Sequence, residues 1–244
     1  MRKFYTDEEI DDLTENIRKT YESMTHQKNH WCLDIQDLMK AMFGLNVVYE
    51  NIAEDDRGKI GFYSDGVTPL WIFKNGSRKQ VIFPEDTVVL DSFLLRSRYI
   101  TERNKTLGHE FGHKVMFLQA PGLAKACYRS ELDTERETGV EELHEKLNLA
   151  ELYADKFYYG IFMPVYLLER VLKRYNNGEY LTLYGRFMLS DEDKIKLQKM
   201  ADRLGVSYDD LFHRFKNLKM FISFNSEINP KEMIKNEDRP TDTQ

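Results

Sequence analysis

The sequence predicts an α+β fold, mostly helical, with one small sheet. Three observations predict it. Apolar residues recur at three- and four-residue spacing through most of the chain. β-prone runs crowd into residues 59–91, around an Asn75-Gly76 hairpin signal. Helix caps stand where the periodic stretches begin and end.

Taken in order, Thr6-Asp7-Glu8-Glu9 has the form of a capping box, and Ile10, Leu13, Ile17, Tyr21 and Met24 follow at helical spacing. A helix over 7–24 is expected. A second, near 33–43, carries Ile35, Leu38, Met39, Met42 and Phe43 and stops at Gly44. Asn46 to Glu50 reads as a strand. Gly61-Phe62-Tyr63, Leu70 to Phe73, Gln80 to Phe83 and Thr87 to Leu90 are the strands of the expected small sheet. Beyond it the chain reads as helical to the end. One helix spans 101–119, stopped by Pro121-Gly122, and a long one spans roughly 140–162. Pro164 opens another that ends at Asn176-Asn177-Gly178, and Ser190 and Ser207 are N-caps of two more. The expected organisation is an N-terminal helical extension over 1–30, a main domain over 31–224, and a polar tail over 225–244.

The chain has 244 residues, enough to bury a core without disulfides. Its N-terminus turns acidic where a signal peptide would be apolar, and no apolar run reaches membrane-spanning length, so a cytoplasmic, membrane-free setting is expected. Net charge is −6, which does not favour nucleic acid as a partner. Cys32 and Cys127 form no CxxC pair and read as free thiols.

The chemistry lies in Thr106-Leu107-Gly108-His109-Glu110-Phe111-Gly112-His113. Histidines at i and i+4 share one helix face and can converge on one metal ion. Glu110, next to the first, suits a general base. The bland alternative is two histidines on an ordinary helix. Gly108 and Gly112 argue against it, since glycine costs about 1 kcal/mol in a helix interior, and close approach of another element would explain both. A catalytic zinc needs a third protein ligand. Met116 and Gln119 stand where a metzincin would have glycine and histidine, so that class is excluded. Downstream, Glu151-Leu152-Tyr153-Ala154-Asp155 places two carboxylates one turn apart on an otherwise apolar helix. They should not be buried without partners. Glu151 is the expected third ligand, and Asp155 the carboxylate that accepts the outer N–H of His109 or His113. The ion is expected to be zinc, with other divalent transition metals open.

These motifs, with Phe157 and Met163-Pro164 after them, resemble the ImmA/IrrE family of metallopeptidases, with its T-L-x-H-E-x-G-H helix, E-x-x-A-N/D-x-F-A helix and L-M-P ending. Residues 34–222 fit the family layout. The resemblance implies a zincin-like core with the small sheet packed on the metal-binding helix, and peptidase activity. It also implies cleavage of a cytosolic protein, a DNA-binding repressor of a phage or mobile element.

Other signals were weighed beside it. Residues 195–218 resemble a helix-turn-helix, but the second helix opens Ser207-Tyr208-Asp209-Asp210, acids that would face a polyanion. Residues 129–146 are strongly acidic, join the two metal helices, and would steer a basic partner toward the cleft. Tyr128, Tyr153, Tyr158 and His144 are all candidates to stabilise an oxyanion. The expected function is a zinc-dependent endopeptidase using His109, His113 and Glu151 as ligands, Glu110 as base and Asp155 behind them, acting on a basic repressor. The alternatives are a regulatory partner-binding protein with a structural or vestigial metal site, and a helix-turn-helix DNA-binding protein.

Overall fold

The computed structural model describes residues 5–26, 30–56, 58–119, 140–185 and 187–224. Helix α1, Asp7–Met24, begins at the expected capping box: Thr6 accepts from the Glu9 N–H while Glu9 accepts from the Thr6 N–H. Helix α2, Ile35–Phe43, is capped by Asp34 and ends at Gly44 in the left-handed region, at φ 67°. Helices α3, Ile100–Gln119, and α4, Val140–Phe162, are the two expected metal-site helices. Helix α5 is Val165–Tyr175, with Pro164 at its N-cap. Helices α6, Asp191–Leu204, and α7, Tyr208–Asn217, open at Ser190 and Ser207 as read from the sequence. The class is α+β, and among the described residues no helix is long and apolar enough to cross a membrane.

The strands differ from expectation. Strand β1, Asn46–Glu50, pairs in parallel with β5, Thr87–Asp91, and β5 pairs antiparallel with β2, Gly61–Ser64, in the order β1-β5-β2. Strands β3, Leu70–Lys74, and β4, Ser77–Val81, form a separate hairpin rather than joining that sheet. The chain changes partners at Asn51. Up to Glu50 its backbone bonds to β5; then Asn51 accepts from the Phe73 N–H and Ala53 donates to the Trp71 carbonyl. Asn75 and Gly76 both have positive φ, the two-residue turn that sets Lys74 opposite Ser77 and shifts β4 earlier than Gln80. Phe62, Leu70, Ile72, Phe83 and Val89 bury a small second core between hairpin and sheet. A further parallel pair, β6, Leu181–Tyr184, with β7, Phe221–Phe224, corrects the expectation of helix to the end. Each strand is four residues long, and its partner arrives only after α6 and α7, so no local alternation signalled the pairing.

Helix α1, expected as an extension, packs along α4 in the main core. The Arg18 guanidinium is 1% exposed and donates to the Ile161, Phe162 and His30 carbonyls, so it caps the C-terminal end of α4. The Thr14 side chain lies where a Cβ on Gly160 would sit, so glycine at 160 is what admits it. Asp11 also pairs with the buried Arg214 of α7. The sheet in turn packs on α3, through β2 and β5.

Asp86, just before β5, accepts from both Tyr63 of β2 and Lys114 of α3, joining sheet to helix. Burial pushes its pKa up, but the Lys114 and Tyr63 hydrogen bonds outweigh that and hold it below the ordinary carboxylate value. A carboxyl whose pKa is depressed on folding stabilises above its unfolded pKa of roughly 3.9 and loses that contribution as pH falls through the folded value. Asp86→Asn is therefore expected to lower stability at pH 7. Because Asp86 is partly exposed, the cost is of order 1 kcal/mol. In urea titrations the gap between variant and wild type should close on going from pH 7 to pH 3; a gap that stays constant would remove the ionised Asp86 as its cause.

Candidate metal centre

Helices α3 and α4 cross at the two glycines of the metal motif. A Cβ added to Gly112 would stand 2.9 Å from Ala154 Cα and 3.0 Å from its carbonyl oxygen. One added to Gly108 would stand 2.9 Å from the Tyr158 ring and 3.1 Å from Phe162. The close approach anticipated from the sequence is thus made by α4, and Ala154 is the residue that lets α3 in. Glu151 and Asp155, flanking Ala154, are thereby set opposite His109 and His113.

His109 Nε2 lies 3.0 Å from His113 Nε2 and 3.1 Å from Glu151 Oε2, and His113 Nε2 lies 3.5 Å from Glu151 Oε1. Tetrahedral bonds of about 2.0–2.1 Å place neighbouring ligand atoms about 3.3 Å apart. The three side chains therefore fit one zinc ion with one coordination position left over, and they are a candidate metal cluster among the described residues. Asp155 Oδ1 sits 2.9 Å from His109 Nδ1, so the outer N–H belongs to His109. Glu151 and Asp155 are not buried: each side chain is 56% exposed and lines the cleft.

The electrostatics follow from these contacts. Burial works to lower the His109 pKa, but hydrogen bonds to Asp155 and Glu151 raise it to about 10. Burial and the charge of His109 lower His113 to about 4, which keeps the imidazole neutral, the form that ligates a metal. The hydrogen bond with His109 holds Glu151 below its usual value, and that with His109 does the same for Asp155 against its burial. A dication held by the cluster would take the place of the second His109 proton, with His109 Nδ1–H still donating to Asp155.

Glu110 is buried against β2. Burial raises its pKa to about 7; the charge of His109 opposes that rise, Glu151 reinforces it, and Lys59 and the Tyr63 backbone bond oppose it further. A carboxyl near 7 is matched to taking and returning a proton at neutral pH. A Cβ on Gly61 would fall 2.6 Å from Glu110 Oε1 and 2.5 Å from Thr106 Cγ2, so glycine at 61 is what admits the base. No pattern in the sequence singled out Gly61, because its partner lies 49 positions downstream on α3.

The five expected site residues meet in one cleft of about 650 Å³, with Lys59, Tyr63, Thr68, Glu102 and Lys105 among its other lining residues. The oxyanion candidates fare differently. Tyr153 is buried and its hydroxyl accepts from the Tyr5 N–H, and Tyr158 is buried and donates to Asp210, so neither serves the cleft. Tyr128, Cys127 and residues 120–139, which hold most of the acidic stretch, lie outside the described residues, as do the His144 side chain and the tail 225–244. Asp210, at the start of α7, also accepts from Lys105 and Ser207 and is buried. At the end of the helix-turn-helix-like segment that would read DNA, Asp210 is thus turned into the protein while Asp209 stays exposed as a negative charge.

The helix crossing yields a prediction. Gly112→Ala should cost about 1–3 kcal/mol by overpacking, and should lower bound zinc per chain because Ala154 moves and carries Glu151 with it. Metal analysis beside thermal unfolding checks this; a destabilised protein that kept full zinc would mean the crossing does not set the cluster.

No family model matches the sequence, and no curated protein sequence matches it. Among solved structures, a Mycobacterium tuberculosis transcriptional regulator is similar with a TM-score of 0.42 at 12% identity, over 84% of this chain and 55% of that one. The chain thus spans about half the length of that protein, and a likeness of this degree fixes neither activity nor partner.

Proposed function

We propose that this chain is a zinc-dependent endopeptidase of the ImmA/IrrE type. The observation that carries the reading is the convergence of His109, His113 and Glu151 within bonding distance of one point, with Glu110 buried beside them. When bound, the ion polarises the scissile carbonyl and acidifies water. Glu110 accepts the proton of the attacking water and passes it to the leaving amine. Asp155 holds His109 in the tautomer whose Nε2 faces the cluster. Gly61 and the Tyr63 backbone keep Glu110 on the cleft side of α3. The substrate class follows from the resemblance and is proposed on it: a small basic DNA-binding repressor of a phage or mobile element.

The test compares wild type, His109→Ala and Glu110→Gln for zinc content and for hydrolysis of a mixed peptide library read by mass spectrometry. Wild type is expected to hold one zinc per chain and to cut peptides, and chelation should abolish cutting. His109→Ala should lose both properties, whereas Glu110→Gln should keep zinc and lose cutting by at least 100-fold. A zinc-loaded wild type that cuts nothing in the library or among cellular repressors would favour the regulatory reading, with a structural metal.

Asp155→Asn keeps the shape and weakens the bond to His109 Nδ1. A 10–100-fold loss in zinc affinity or turnover is expected, measured by competition with a chromogenic chelator. Unchanged affinity and turnover together would remove Asp155 from the site.

A further inference from the structure

The second feature of the molecule is a basic face across α5 and α6. Both helices are amphipathic, with Leu167, Leu168, Val171 and Leu172 buried on one and Leu197, Met200, Ala201 and Leu204 on the other. Their outward faces carry Arg170, Lys173 and Arg174, and Lys199 and Arg203. The two faces meet at the half-buried Trp31, whose ring has the Arg170 guanidinium 4.4 Å and the Arg203 guanidinium 5.3 Å from its centroid. None of the five cations has a carboxylate within 4 Å among the described residues. The acids of the same faces are Glu169 and Asp202, and Asp202 accepts from the Gln198 amide.

Charge is sorted in space here in a way the sequence tally hides. Between 191 and 219 acids and bases nearly balance. Yet Asp191 and Glu192 pair with Lys194 and Lys196 at the start of α6, and Asp210 is buried on Lys105. What remains outward at the other end of α6 is positive, in a chain of net charge −6. Two guanidiniums beside one indole, neither paired with a carboxylate among the described residues, concentrate positive charge at that place and favour anions there.

We propose that this face binds the phosphate backbone of nucleic acid. Along each helix the cations recur about one turn, roughly 6 Å, apart, which suits a polymer carrying a charge at every repeat. A protein partner would want apolar anchors. The outward apolar residues of α5 and α6 are few, Trp31 is already covered by arginine, and the exposed aromatic cluster around Phe187 and Phe224 lies elsewhere, beside β6 and β7. The binding reads charge, not sequence, and uses neither the acidic start of α7 nor the metal cleft, so it stands whether or not the chain is a peptidase.

The experiment is fluorescence anisotropy of the whole chain with a labelled 20-base-pair DNA duplex and a 20-nucleotide RNA strand, which tell the two phosphate sources apart. At physiological salt a dissociation constant of order 10⁻⁴–10⁻⁶ M is expected, tightening toward 50 mM salt, linearly in log salt with a slope near −0.9 per contacted phosphate. Arg170→Gln with Arg203→Gln should weaken binding at least tenfold and cut the slope by about two. Lys194→Gln, which removes a paired lysine, should change neither. Should the double variant unfold, Lys173→Gln with Lys199→Gln removes two cations that do not touch Trp31 and should weaken binding to a similar degree. No binding to either polymer at 50 mM salt, or binding that the cation variants leave intact, would overturn the proposal. So would competition by polyglutamate as strong as by DNA of equal charge, since the face would then be one for acidic protein.

Discussion

The site depends on one close contact, where α3 and α4 run backbone against backbone at Gly112 and Ala154. Helix axes normally stay 8–10 Å apart, held off by side chains. Removing the side chain on one helix and shrinking it to a methyl on the other lets the pair close. Closure brings a carboxylate of α4 within about 3 Å of imidazoles on α3. A bulkier pair would leave the same five chemical groups present but apart. The rest of the molecule steadies that contact: the sheet presses α3 from one side, α1 and Arg18 hold the far end of α4, and Asp210 of α7 ties Lys105 and Tyr158 across the crossing.

Much of this was legible in the sequence because the information is local. Helix starts at Thr6, Ser190 and Ser207 are written in side chains that bond to their own first turn. The histidines four apart, and the glycines four apart, fall on shared faces of one helix, so spacing alone relates them. The pairing of α3 with α4 was legible for a different reason: carboxylates on an apolar helix and glycines in a helix interior each require something from a second element. What was not legible depends on who meets whom across long separations. The partner change at Asn51 splits one expected sheet in two, β6 and β7 find each other after two intervening helices, and Gly61 matters only because Glu110 arrives against it. Glu151 and Asp155 also proved half exposed, since hydropathy of neighbours does not say which way a cleft opens.

Net charge says as little about any one face. A sum over the chain treats every ion as equally available, whereas folding spends some acids inside, as at Asp210, and neutralises others in place, as at Asp191 and Glu192. Local surface potential depends on what is left, and for α5 and α6 the remainder has the sign opposite to the total.

The contact between Arg18 and the end of α4 spans 143 positions. Helix α1 is synthesised well before its partner on α4, and that docking surface is not made until Phe162 has emerged. At about 5–20 residues per second, that is a wait of roughly 7–30 s. Throughout it, Ile10, Ile17 and Tyr21, all buried in the finished protein, lack the α4 surface on which their helix packs. Helix α1 therefore docks late although it is made early.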